Sequence, residues 1–196
     1  MGTRHLIAVM VDGNYKIAQY GQWDGYPSGQ GFDVLDFLRT ADLDRFREQL
    51  KLVRFANKDD EKEKQEFFDS IGSSNGMLNM DQASLFHRKY PLLTRDNGAK
   101  ILEMVYGLSK PAFLDDALDF AMDSLFCEWA YVIDLDKNVL EVYEGFNKEP
   151  VMRGRFTSNI PDRQGYYCIK LKKTYPLDDL PDNDTFIKEL DPPDEE

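Results

Sequence analysis

Residues 5–21 read HLIAVMVDGNYKIAQYG. The first seven are apolar without alternation, apart from the leading His5, as expected of a strand covered on both faces. Asp12-Gly13-Asn14 supplies the glycine and small polar residues of a tight turn. The return strand places Tyr15, Ile17 and Gln19 on one face and Lys16, Ala18 and Tyr20 on the other. A hairpin whose first strand is central needs further strands beside it, and the remaining β-rich sequence lies far downstream. EWAYVIDLD at 128–136 and VLEVYEG at 139–145 flank Lys137-Asn138 and read as a second hairpin. In its first strand Trp129, Tyr131, Ile133 and Leu135 share a face, while Val132, Asp134 and Asp136 share the other. Asp134 and Asp136 read as turn formers that accept backbone hydrogen bonds. A last strand is expected over 166–174, edge-like, with Tyr167, Ile169 and Leu171 set against Lys170 and Lys172.

The sequence between the hairpins is helical in texture. Val34, Leu35, Phe37 and Leu38 fall at helical spacing, as do Leu43, Phe46, Leu50 and Val53 after Thr40 or Asp42 as cap. The charged run 58–64 ends at Phe67, Phe68 and Ile71, which predicts a solvated helix docked by its last turn. Residues 72–76 read as a connector, and Asn79 with Gln82 as a capping box. A helix over 99–106 ends at Gly107. Pro111 is expected to open another, with Leu114, Ala117, Leu118, Ala121 and Leu125 as its apolar stripe. Asp115, Asp119 and Asp123 then line its opposite face, read as solvated because one helical row offers a cation too few oxygen ligands. The fold class expected is α+β: a mainly antiparallel sheet of four or five strands from the N- and C-terminal segments, with an inserted helical middle. Residues 1–177 form one domain, and 178–196 an acidic, flexible tail with at most one helical turn near Phe186.

Composition narrows the function. The chain has 196 residues, 42% hydrophobic, and a formal net charge of −12. That charge opposes nucleic acid and anionic membrane surfaces as partners, since both demand a basic face. Cys127 and Cys168 lie in apolar surroundings and read as buried thiols of a cytoplasmic protein. No CxxC occurs, and His5 and His87 are the only histidines, so no metal site is expected. No G-x-S-x-G, P-loop, G-x-G-x-x-G or HExxH is present, and no cofactor is expected. The beginning of the chain lacks signal-peptide character, and no run reaches transmembrane length. Arg153, Arg155 and Arg163 read as partners for surplus carboxylates rather than as an anion site.

Chemistry concentrates in residues 19–30, QYGQWDGYPSGQ, at the end of the buried strand pair. Aromatic faces, a few polar groups and glycines that permit close backbone approach are what a small-molecule pocket uses. The expected ligand-binding set is Arg4, Gln19, Gln22, Trp23, Asp24, Tyr26 and Gln30. Trp23 and Tyr26 would stack on a flat ligand. Asp24 is a candidate general base and Thr3 a candidate catalytic residue, and Thr3, Arg4 and His5 lie beside the loop if the open end of the hairpin borders it. The same residues also make good turn chemistry, so a purely structural loop is the competing reading.

The stretch GTRHLIAV…DGNYKIAQYGQWDGYPSGQG, with VLDFL and EWAYVIDLDKNVLEVYEG after it, resembles a group of small uncharacterised proteins from phage, bacterial and fungal genomes. That resemblance covers most of the chain and implies a common fold without an activity. A looser resemblance is to N-terminal nucleophile hydrolases of the choloylglycine type, through the Asp12-Gly13 turn and the Gln22-Trp23-Asp24 segment. It implies amide-bond chemistry at the start of a central strand. Removal of Met1 exposes Gly2, which has no nucleophilic side chain, and Thr3 would need a further cleavage. The expectation is a protein that binds a small polar or aromatic ligand at residues 19–30, with amide-hydrolase-like chemistry open. The alternative is a non-catalytic acidic protein that binds or inhibits a protein partner.

Overall fold

The computed structural model describes residues 2–73 and 77–190. Strands β1 (His5–Val11) and β2 (Asn14–Gly21) form the expected hairpin. Asp12 and Gly13 both take positive φ, 52° and 71°, the backbone of a tight turn that matches strand twist. Helices α1 (Phe32–Thr40) and α2 (Leu43–Leu50) follow, with Asp42 accepting from the Asp44 and Arg45 amides at the start of α2. Strand β3 (Val53–Phe55) comes next, so Val53 ends in a strand rather than in the helix its spacing predicts. Helices α3 (Lys58–Ser70), α4 (Met80–Lys89) and α5 (Lys100–Tyr106) complete the middle, and the Asn79–Gln82 capping box closes in both directions. Strands β4 (Ala112–Leu114), β5 (Trp129–Asp134), β6 (Val139–Glu144) and β7 (Lys170–Pro176) precede a last helix, α6 (Asn183–Leu190).

The five-stranded sheet has the order β2-β1-β5-β6-β7, and only β1 and β5 run parallel. The fold is α+β with a mostly antiparallel sheet. One face packs Ile7, Val9, Tyr131, Ile133 and Val142 against Leu35, Phe46, Ile101, Leu102 and Phe186 of the helices. The other packs Leu6, Ala8, Ala130 and Val132 against Ala121, Cys127, Phe156, Cys168 and Ile169. This second layer is irregular chain, drawn from a short 3-10 turn at Leu118–Met122 and the connection between β6 and β7.

Three expectations are corrected. The helix after Pro111 does not form. Residues 112–114 pair in parallel with β3, putting Leu114 in the helix-side core, while Ala121 goes to the opposite face of the sheet. Strand pairing thus overrides the apolar period, and the three aspartates do not share a face. Asp115 pairs with Lys64 at 2.9 Å, Asp119 is exposed, and Asp123 accepts the backbone amide of Phe126. The last strand starts at Lys170, not Tyr166, because the Tyr167 and Ile169 amides donate to Asn147 and Ala121 outside the sheet. Residues 178–190 are not a loose tail: α6 buries Phe186 and Leu190 in the core. Residues 74–76 of the expected connector and 191–196 of the tail lie outside the described residues.

Buried charge secures the second layer. The Arg155 guanidinium donates to both Glu141 carboxylate oxygens, at 2.7 and 3.1 Å, and to Asp134. Asp134 is wholly buried and also accepts the Asp136 and Lys137 amides of its own turn. Burial pushes both carboxyls up, and Arg155 outweighs it, holding both below the usual range. Arg155 therefore pairs with carboxylates, as its sequence context predicts.

Arg155→Ala strands two buried carboxylates and should cost roughly 3–5 kcal/mol in urea unfolding at pH 7. That deficit should shrink as the pH falls into the carboxylate range, beginning above the ordinary carboxyl values because without Arg155 burial raises both groups and protonation removes the unpaired charge. Phe186→Ala should cost about 3–5 kcal/mol by the same measurement; an unchanged midpoint would return α6 to the status of a tail.

Candidate functional site

The loop after β2 folds back over the entry to β1. The Gly25 amide donates to the Thr3 carbonyl at 2.9 Å, and the buried Tyr131 hydroxyl of the central sheet donates to the Gly25 carbonyl at 2.9 Å. Both contacts bring the loop onto the His5 imidazole, and glycine is required there. A Cβ on Gly21 would lie 2.1 Å from the ring, and one on Gly25 2.7 Å from the His5 Cβ. Asp24 sits between them with φ at 56°, in the left-handed region that Asp and Asn tolerate, and its carbonyl accepts the Gln30 amide at 2.8 Å. The loop ends in a single wide turn, Pro27–Gly31, that leads directly into α1.

A cavity of about 400 Å³ opens between this loop and the segment before α5. His5, Gln22, Trp23, Asp24 and Gln30 line one wall, with Asp33 from the first turn of α1. Arg95, Asp96, Asn97, Gly98 and Lys100 line the other. The walls are tied together by the Ala99 amide, which donates to the Gln30 Oε1 at 2.6 Å. Its size falls within the range of about 300–1,000 Å³ typical of small-molecule sites. A larger hollow of about 610 Å³ lies along residues 144–149 and 170–172. Four of its charges are paired, Glu149 with Lys170 and Glu144 with Lys172, each at 2.7 Å, and Lys148 lies over the Tyr166 ring.

The smaller cavity differs in two respects. His5 is 1% exposed, and neither of its ring nitrogens has a hydrogen-bond partner among the described residues. Burial pushes the imidazole down to about 4, against the opposing influence of the Thr3 carbonyl and the Asp24 charge, so the ring is neutral at pH 7. It therefore presents one donor and one acceptor nitrogen, with the Thr3 carbonyl acting on the ring and both nitrogens packed close to Gly21 and Gly25. Second, none of Asp24, Asp33, Asp96, Arg95 and Lys100 closes an ion pair with another described residue, although ion pairs such as Lys64–Asp115 are made elsewhere. Burial, then the neighbouring Asp36, pushes the Asp33 carboxyl up, and Lys100 opposes them.

Of the residues expected from sequence, Gln22, Trp23, Asp24 and Gln30 meet at the cavity. Trp23 is 50% exposed, and its indole lies on the Gly2 backbone, where a Cβ would come within 2.2 Å of the ring. Tyr26 is outside the lining and reaches it only through its hydroxyl, 3.3 Å from Asp24 Oδ1. Gln19 is structural, its amide donating to the carbonyls of Tyr20 and Thr94. Arg4 turns away, its guanidinium 4.6 Å above the Phe126 ring, and Thr3 contributes its carbonyl to the loop. Residues 95–100 were not singled out by the sequence, because a short charged turn carries no signal of what it faces. No protein-family model, curated protein or solved structure matches this chain.

The neutral imidazole gives a pH signature. Unfolded histidine takes up a proton near pH 6.5, whereas folded His5 does so only near 4. Stability should therefore fall as the pH drops between those values, by about 3 kcal/mol at pH 4. Denaturation series from pH 8 to 4.5 on the wild type and His5→Leu should show that slope only in the wild type. The same slope in both would assign it elsewhere.

Proposed function

We propose that this chain binds a small polar ligand non-covalently in the cavity between the 21–31 loop and residues 95–100. The observation that carries the reading is His5, a buried imidazole whose ring nitrogens close no hydrogen bond of full geometry among the described residues, held by glycine contacts at the wall of the cavity. An unpaired buried polar group costs free energy, so a fold that keeps one at a cavity wall gains most when a ligand completes it. The half-exposed Trp23 indole supports a ligand with a flat or apolar portion.

The likeness to N-terminal nucleophile hydrolases enters here as a likeness of place. The cavity stands at the beginning of a central strand, where those enzymes carry their nucleophile. The lining residues include no hydroxyl or thiol, which favours recognition over covalent amide hydrolysis. The buried, unpaired thiols of Cys127 and Cys168 fit a reducing compartment, and the proposed location is the cytoplasm. Among the described residues no helix is long and apolar enough to cross a membrane. The alternative, a non-catalytic protein acting on a protein partner, rests on the net charge of −12 and has no localised feature to match His5.

A thermal-shift screen of polar metabolites tests the proposal. A ligand at about 100 times its Kd adds about 2.7 kcal/mol, a shift of several degrees for a domain of this size. The shift should disappear in Asp24→Asn, which keeps the left-handed backbone, and in His5→Leu. Shifts of equal size in all three proteins would remove the cavity from consideration.

A further inference from the structure

Building on that reading, we infer that the ligand is a small zwitterion of the α-amino acid class, its ammonium held by Asp24 and Asp33 and its carboxylate by Arg95 and Lys100. The argument is one of charge balance. The lining carries three carboxylates, on Asp24, Asp33 and Asp96, and two cations, on Arg95 and Lys100, with no ion pair among them. In a protein where opposite charges elsewhere meet at about 3 Å, such as Lys173 with Glu189, their separation here leaves both signs available to something between them. A simple anion entering the cavity would face the carboxylates, and a simple cation would face Arg95 and Lys100. A neutral ligand would displace water from charges of both signs and give nothing back. A molecule bearing both signs a few bonds apart offers a partner to carboxylates and cations alike, and charge-assisted hydrogen bonds are the stronger kind.

The acidic side of the site is continuous. The Asp24 charge acts on both His5 and Asp33, and Lys100 acts on Asp33, so these four groups share one neighbourhood. His5 is the independent sign of a ligand here: a polar side chain more than nine-tenths buried, without a partner, on the cavity wall. As a neutral ring it can accept from an ammonium or donate to a carboxylate without changing the charge of the site. Trp23 and Gln22, at the rim, are left for the side chain of the amino acid.

Isothermal titration of the full-length protein with the twenty free L-amino acids, followed by the N-acetyl and the carboxamide forms of the best binder, tests this. Blocking either charged end should weaken binding tenfold or more. Asp24→Asn should weaken the free amino acid without affecting the N-acetyl form, and Arg95→Gln should do the same with respect to the carboxamide. If the blocked forms bind as tightly as the free amino acid, the charges are not read and the inference is overturned. If no amino acid binds, yet other metabolites shift the wild type and not Asp24→Asn, the zwitterion is wrong and the cavity stands. If nothing in either panel binds, both readings fall.

Discussion

The backbone of β1 is hydrogen-bonded along both edges, antiparallel to β2 and parallel to β5, and its side chains from Leu6 to Val9 are fully buried. Such a strand has no solvent-facing side, so the chain must bring an apolar layer to each face. Burial at roughly 25 cal/mol per Å² drives both layers together. The helices supply one with ordinary amphipathic packing. The other has no helix of length and is built from irregular chain, which brings less apolar surface per residue and more backbone polar groups to satisfy. Asn147 shows how this is met: its side-chain amide donates to the carbonyls of Glu149 and Cys168, and its main-chain amide donates to Ser124 Oγ.

The same two-faced burial explains where the candidate site lies. At its N-terminal end β1 leaves the sheet beneath the loop that follows β2, and the apolar packing gives way to His5. The loop cannot withdraw, because Tyr131 holds it from within the core and Thr3 from the entering strand. Nor can it approach more closely, since Gly21 and Gly25 are already at contact with the imidazole. The wall of the cavity is thus rigid on the β side, and the opposite wall, residues 95–100, is fastened to it through Gln30 and Ala99. Preorganised walls of this kind reduce the ordering cost of binding.

Much of this was legible in the sequence. The unbroken apolar run of β1, the glycine turn after it and the β-branched content of β5 and β6 identified the sheet, because each signal is local and the sheet agrees with it. The Asn79–Gln82 box and the Asp42 cap were readable for the same reason. What could not be read was tertiary. Residues 114–125 have a helical period, and only pairing with β3 tells the chain to extend at 112–114. Phe186 sits in an acidic, proline-bearing stretch, and its burial depends on a gap between α1 and β7 that no local pattern announces. At the site, Trp23 and Asp24 were visible by composition, while Arg95 and Lys100 became relevant only once the fold set them opposite.

The first hairpin carries a dependence on distant sequence. The amides of Asp12 and Gly13 in its turn donate to the carboxylate of Asp136, each at 2.8 Å, across more than 120 residues of chain. The parallel partner of β1 lies equally far downstream. At about 5–20 residues per second, a ribosome needs roughly 6–25 s to make the intervening 124 residues. Throughout that interval the most apolar strand of the protein is outside the tunnel with one edge unpaired and its turn uncapped. The sheet around β1 therefore cannot be completed in the order in which the chain is made, and an exposed strand edge persists until Asp136 arrives.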